Sequence, residues 1–431
     1  MSKGVNPHMT RATVLLIAWA IPAVAAAQAE LPPPDGPLPI DEVLQENHLR
    51  LGPVYAKPVL QLKELGVDNN VFNTYGDQQA SDFTLTLTPQ ADIAVPVARR
   101  ALFQATTAAD LVWYAKYAGQ RSINPQLDLR GQVFLHRLTL FGGRDYVNTR
   151  QRPNQEIDVR ARHVDQMLTA GVDVAITPEV SVLVAGHRFT TRYDPAVEYD
   201  NTSLQRTLNR DTDSLEVSTR YRLTPLTSIA VRYDKLRDRF LMSPERDSDS
   251  YRVMPGVEFK PRALINGSAY VGYRAFTPLN AAALPDFKGL VAELGLSYTL
   301  LGATTFAVRA SRDLTYSYDE LQPFFIDTSV GVSVRRALGG RFDTLVSADR
   351  HSYEYKNLLQ PDATLLAADP TAGSDLARID TTWNYAASLG YRIGREGRIG
   401  FGASYWNRSS TTRQFRAYNN LRFGSTMTIG F

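Results

Sequence analysis

Arginines and carboxylates recur along this chain at every second position of short alternating stretches. Asp128 and Arg130 stand in "QLDLRGQVFL", Glu216, Arg220 and Arg222 in "SLEVSTRYRL", and Arg232 and Asp234 in "VRYDKL". Arg252, Glu258, Arg274, Glu293, Arg309, Arg335, Arg392 and Arg422 continue the series, with Asp173 and Asp327 among them. Guanidinium forks bind carboxylate and phosphate through parallel N–H···O bonds. Lined along one face, these side chains could form a path for an anionic or hydroxyl-rich solute. They could equally pair with one another across neighbouring strands and brace a wall, which is the plainer reading for any single residue.

Other chemistries find less support. A hydrolase needs a nucleophile with a base beside it. Of the six histidines, His8, His48 and His136 fall in a leader, a spacer and a turn, and no nucleophile motif surrounds His163, His187 or His351. The sequence therefore reads as a non-enzyme. It offers no metal spacing, no glycine-rich phosphate loop and no cofactor signature. The glycines of "ALGGR" and "RIGREGRIG" are turn glycines. Without cysteine there is neither a disulfide nor a thiolate site. Removing residues 1–29, which hold Lys3 and Arg11, leaves 45 basic against 44 acidic residues, so nothing argues for nucleic acid.

The elements that must carry the charged series follow from its period. In "DFTLTLTPQADIAV" Phe83, Leu85, Leu87, Ile93 and Val95 oppose Thr84, Thr86, Thr88, Gln90 and Asp92. In "LVAELGLSYTL" Leu290, Ala292, Leu294, Leu296 and Tyr298 oppose Glu293, Gly295, Ser297 and Thr299. A period of two means strands with one apolar and one polar face. The connections fall into two alternating classes. Eight are short, such as Thr177–Pro178, Leu301–Ala303 and Gly394–Gly397; nine are longer and polar, such as Asp68–Ser81, Tyr193–Arg210 and Tyr353–Asp375. Seventeen connections give eighteen strands, with sixteen as the alternative count. Short turns on one side and long loops on the other define an all-β, transmembrane, antiparallel up-and-down β-barrel of the bacterial outer membrane. Eighteen strands enclose a water-sized lumen. The alternation places the arginines and carboxylates inside, since charges facing lipid cost several kcal/mol at mid-membrane.

The two ends fit that reading. A basic start, the apolar core "ATVLLIAWAIPAVAAA" and small residues before Gln28–Ala29 read as a signal peptide over residues 1–29. Residues 30–57 read as a periplasmic, proline-rich spacer with one short helix, Ile40 to Leu51, and residues 58–431 as the barrel. The last stretch, "LRFGSTMTIGF", alternates Phe423, Ile429 and Phe431 against glycines and threonines. A strand ending on an aromatic resembles the C-terminal signal read by the barrel-assembly machinery, and both ends of the chain are expected in the periplasm. Tyr114, Tyr117, Tyr146, Tyr193, Tyr233, Tyr316, Tyr318, Tyr353 and Tyr405 lie toward the loop ends of strands and are expected to form an aromatic girdle. Tyr270 is expected to face inward.

The opening strand, "LKELGVDNNVFNT", with its core Gly66-Val67-Asp68-Asn69-Asn70-Val71-Phe72, resembles the start of the putative β-barrel porin 2 family. The resemblance covers roughly residues 58–431. It implies an outer-membrane channel, and because many members accompany exopolysaccharide gene clusters it implies polysaccharide export with a periplasmic export partner. Passage of hydrophilic solutes through an arginine-rich lumen is the residue-level expectation. A non-conducting surface receptor or adhesin, binding through its long loops, is the alternative. Lipid and lipopolysaccharide are the expected surroundings. The longest loop carries the apolar pairs Leu358–Leu359 and Leu365–Leu366, and is expected either to gate the pore or to touch the membrane surface.

Overall fold

The computed structural model describes residues 40, 43–44, 47, 49–98, 100–260, 264–359, 377–394 and 396–430. The signal peptide, Leu365, Leu366 and Phe431 lie outside the described residues. Ile40, Val43 and Leu44 are helical, but Leu49–Leu51, expected at the end of that helix, is a strand (β1) folded antiparallel onto the next one. Gly52, with φ of 63°, makes the turn between them.

The remaining long strands are β2 (Val54–Asp68), β3 (Asp82–Val97), β4 (Ala101–Tyr114), β5 (Ser122–Phe134), β6 (Leu138–Gln151), β7 (Ala161–Ala175) and β8 (Val180–Tyr193). A two-stranded ribbon, β9 (Glu198–Tyr199) and β10 (Thr202–Ser203), and a helix, Leu204–Leu208, fill the next loop. Then come β11 (Arg210–Thr224), β12 (Thr227–Phe240), β13 (Ser248–Phe259), β14 (Ile265–Pro278), β15 (Phe287–Leu300) and β16 (Thr304–Tyr316). The set ends with β17 (Phe324–Leu338), β18 (Phe342–Lys356), β19 (Ile379–Ile393), β20 (Gly397–Ser410) and β21 (Tyr418–Gly430). Each pairs antiparallel with its neighbours in sequence, and β21 returns to β2 through Val59↔Gly430 and Asp68↔Arg422. Eighteen strands, all of the main sheet but β1, thus close an up-and-down barrel. Closure leaves no edge, the condition for a sheet to stand in lipid.

The two faces separate as the period requires. Thr212, Ser214, Glu216 and Ser218 are buried on the inside of β11, while Leu215, Tyr221 and Leu223 are exposed on its outside. Leu127, Leu129, Val231, Val253, Leu290, Val308, Val332, Phe401 and Phe423 continue the outer apolar surface. The strands run longer than the polarity of their ends suggests: β5 begins at Ser122, β6 continues to Gln151 and the first barrel strand begins at Val54 rather than Pro58. Their ends rise above the apolar band, where both faces are polar and the alternation fades.

Closure strains one joint. Between β2 and β21 the ladder is interrupted from Leu62 to Leu65, and Glu64 there has φ of 54°. Just beyond, a Cβ on Gly66 would stand 1.9 Å from the Phe423 carbonyl oxygen, so only glycine lets the two backbones approach.

Candidate functional site

The inner wall is a charged lattice. Arg220 reaches Asp173 at 3.6 Å and Glu258 at 3.1 Å, and Glu258 also accepts from the Tyr270 hydroxyl. Arg232 lies 2.6 Å from Glu293 and 3.5 Å from Asp234, with its guanidinium over the Tyr270 ring. Arg252 bridges Asp234 at 3.1 Å and Asp313 at 2.8 Å, and Arg274 takes the other oxygen of Asp313 at 2.7 Å. Across the lumen Arg398 and Arg392 share Asp343 at 2.5 and 3.5 Å, and Arg422 lies 3.0 Å from Asp68 and 3.8 Å from Glu64. Asp128 pairs with Arg130 two residues along the same strand, at 3.0 Å. Several of these contacts, among them Arg220–Glu258, Arg232–Glu293, Arg252–Asp313 and Arg398–Asp343, join residues two or more strands apart.

Most of the charged residues singled out from the sequence are therefore brought together, but as pairs. Glu216 meets His187 at 3.6 Å and Asp327 meets His351 at 3.2 Å, so these histidines sit in the same lattice. Arg309 is the most open of these paired arginines, with its side chain 71% exposed and Asp349 at 3.4 Å. Sequence reasoning passed over Asp313, which alternates in phase with Arg309, and Asp343, Asp68 and Lys63; the last two lie an odd distance apart on β2, on either side of its bulge. Beside them, between β2–β4 and β18–β21, lies a cavity of about 200 Å³ lined by Gln61, Lys63, Glu64, Tyr114, Arg398, Arg422, Thr426 and Thr428.

The loop end of the barrel is built differently. Residues 152–160, between β6 and β7, fold inward and reach strands on the far side of the ring. The Gln155 side chain accepts from the Tyr353 hydroxyl of β18 at 2.9 Å, and Arg408 of β20 donates to the Gln155 and Glu156 carbonyls at 3.1 and 3.2 Å. The β15–β16 ladder ends at Ala292↔Arg312 while β16–β17 continues to Tyr316↔Phe324, so the tip of that hairpin parts from the wall and leans inward. There Ser317 donates to Glu156 at 2.5 Å. β6–β7 and β16–β17 stand nearly opposite in the ring order, so this contact spans the lumen.

A core and an ion network lock the crossing. Ile157, Ala161, Tyr193, Leu204, Leu208 and Tyr318 form a buried cluster, with Tyr318 1% exposed. Beneath it Phe240, Phe276, Leu314, Tyr316, Phe324 and Ile326 form another. Arg408 joins Asp158 at 3.0 Å and Asp380 at 2.7 Å, and Arg378 joins the same Asp380 at 2.6 Å. Arg413 reaches Asp319 at 2.8 Å, and Arg416 pairs with Asp200 between the Tyr199 and Tyr318 hydroxyls. Arg246 donates to the carbonyls of Thr207 at 3.0 Å and Ser317 at 2.7 Å. Burial pushes the Glu156 carboxyl above its ordinary range, opposed by the Ser317 hydrogen bond. Burial likewise lowers the Arg246 guanidinium to about 10.

This cap overturns part of the girdle expectation. Tyr114, Tyr193, Tyr316, Tyr318 and Tyr353 are buried and face inward, whereas Tyr233 and Tyr405 are exposed on the outer face. Near a barrel mouth both faces can hold aromatics, and periodicity does not say which face is packed. Leu358 and Leu359, in the described part of the longest loop, bond their amides to the carbonyls of Leu321 and Ala283 at 3.0 and 2.8 Å. Residues 360–376 of that loop lie outside the described residues, and the described loops that cross the lumen are 152–160 and 317–323. Their signal in the sequence was composition alone: acids and asparagines within "QRPNQEIDVR" and "SYDELQPFF".

At the turn end Val43 is buried against Ala94 and Leu102, with Ile40, Leu44, Tyr55 and Phe134 around them. Phe423 is 47% exposed on the outer face, and Ile429 pairs with Leu60 and Gly397 within the wall.

A closed eighteen-strand ring with an apolar exterior and a charged interior is an outer-membrane β-barrel of the porin-like class. Residues 48–429 match the family described as putative beta-barrel porin 2, and the chain belongs to that family. No curated protein matches the sequence. Among solved structures the chain is similar to a BenF-like porin from Pseudomonas fluorescens Pf-5, with a TM-score of 0.49 at 11% identity over 88% of this chain and 100% of that one. It is similar to OccAB3 of Acinetobacter baumannii, at 0.47 and 12% over 88% and 100%. The outer membrane protein OpdK of Pseudomonas aeruginosa gives 0.45 and 10% over 87% and 99%. No residue role passes from these proteins to this chain.

Proposed function

We propose that the barrel is a channel for hydrophilic solute, shut by the inward loops and opened when they part. The observation that carries this reading is the crossing itself: loop 152–160 traverses a lumen whose wall is polar and charged beneath it. A wall of paired charges gives a moving solute donors and acceptors at every level without fixing it at one. The solute that fits is a flexible, hydroxyl-rich or anionic polymer, a polysaccharide delivered from the periplasmic side by an export partner. Arginine forks suit sugar hydroxyls and carboxylates. The leader and the terminal strand ending in Phe431 would bring the chain to the assembly machinery, with both ends periplasmic.

The test is single-channel conductance in planar bilayers, comparing the natural chain with Arg408→Ala, which removes the ion pairs to Asp158 and Asp380. The variant should conduct more, and its liposomes should release anionic oligosaccharide faster. A folded barrel that stays silent in both forms would reject the channel. The dense packing of the cap favours one second reading, a sealed surface receptor or adhesin. Silence together with ligand binding to intact cells, lost on deleting residues of the exposed loops, would establish it.

A further inference from the structure

The outer face of β6 to β8 carries a row of arginines, and those of β6 and β7 have no carboxylate partner among the described residues. Arg144 and Arg150 point outward from β6, Arg162 from β7, and Arg188 and Arg192 from β8, in phase with the exposed Leu140, Leu168 and Val184 on the same strands. Arg150 and Arg162 are direct cross-strand partners. Like charges so placed repel unless an anion stands between them. Among the described residues neither forms an ion pair. Arg162 donates to the neutral Asn148 at 2.9 Å and Arg144 to the neutral Gln166 at 2.9 Å. Arg192 and Arg188 share Asp211, the latter at 3.2 Å, and Arg188 lies 3.9 Å from Asp213.

The neighbouring strands show how the same level is handled where charge is balanced. On β11 to β13 the outward register sets Asp211 opposite Arg239 and Asp213 opposite Arg237, and Asp249 lies 2.7 Å from Arg239. On β6 and β7 the same level holds an arginine pair instead, Arg150 opposite Arg162. It sits toward the loop end of those strands, above their apolar residues, where the outer leaflet presents its headgroups.

We infer that this face binds the phosphorylated headgroup of an outer-leaflet glycolipid, with a phosphate between Arg150 and Arg162. Two guanidinium forks at one cross-strand position suit a phosphate dianion, and Asn148 holds the Arg162 fork in place without cancelling its charge.

The experiment titrates the full, folded chain in detergent with diphosphoryl lipid A, using inorganic phosphate as the competitor. The double variant Arg150→Gln/Arg162→Gln should bind about tenfold more weakly or worse, as expected for losing charge-assisted hydrogen bonds. Asn148→Asp, which keeps every arginine but supplies a carboxylate beside Arg162, should also weaken binding. Lys235→Gln/Arg237→Gln, on the balanced face, should bind as the natural chain does. Heat-modifiable migration checks that each variant is folded. Unchanged affinity in the double variant overturns the site, as does an equal loss in the balanced-face control. Full displacement by millimolar phosphate would reduce it to a plain anion site, and a dimer lost in the double variant with no change in lipid binding would assign the face to a second barrel.

Discussion

The wall and the cap use the same residue types in opposite ways. On the wall, Arg220, Arg252 and Arg398 belong to strands whose ladder already fixes their positions, so each ion pair is an addition to a frame that stands without it. In the cap, Arg408, Arg378, Arg246 and Arg416 are buried and tie together segments far apart in sequence, so the ion pairs are themselves the frame. A buried charge that loses its partner is strongly destabilising, whereas a partly solvated one is not. One architecture therefore holds a rigid conduit and, at its mouth, an assembly that a few substitutions can release.

The largest expected effect breaks the cap and spares the wall. Arg408→Ala leaves Asp380 and Asp158 buried with fewer partners, at about 3–5 kcal/mol against the closed cap. Protease access to residues 152–160 should rise sharply while heat-modifiable migration of the barrel persists. If barrel and cap unfold together, the two regions are one unit. Next comes the seam: Gly66→Leu forces a side chain into the Phe423 carbonyl, and the yield of closed, membrane-inserted barrel should fall severalfold. A normal yield would show that β2 and β21 can shift.

A smaller effect is linked to pH. Glu156 faces Ser317, Arg378, Arg408 and Asp319, and burial raises its pKa above the ordinary 4.5. The closed cap thus binds that proton more tightly than an open one. Its contribution is full below about 4.5 and is lost as pH rises through the elevated value. Conductance should be lowest in acid and rise toward neutrality, and Glu156→Gln should flatten that dependence by holding the neutral form. A pH profile unchanged by Glu156→Gln would remove Glu156 from the latch. The smallest effect belongs to Arg309, mostly exposed in the lumen. Arg309→Gln should change stability by less than about 0.5 kcal/mol while shifting the ratio of anion to cation permeability. A marked loss of stability would mean that the wall, too, depends on its charges.

How far the sequence could be read follows the same division. Alternation of Phe83, Leu85 and Leu87 against Thr84, Thr86 and Thr88 reports a strand and its two faces, because one period governs every residue of it. The same phase assigns Arg220, Arg232, Arg252 and Arg274 to the interior, where they stand. Which carboxylate each one meets depends on stagger between strands, and stagger leaves no trace in a single strand. The cap was not legible for a stronger reason. Glu156 and Ser317 come from two loops with no period and Arg408 from the end of β20, and only closure of the ring brings them together. The buried tyrosines were misjudged in the same place, where lipid and loops both welcome an aromatic ring.

The joint between β2 and β21 also sets an order of events. Every other seam links strands adjacent or nearly adjacent in the chain, and so can form while the polypeptide is still arriving. The β2–β21 ladder pairs Val59 with Gly430, a separation close to the full length of the chain, and loop-closure entropy makes such a contact slow to form. Until it forms, both outer strands present unpaired backbone to whatever surrounds them. Every intermediate before that last stitch is thus a sticky, two-edged ribbon.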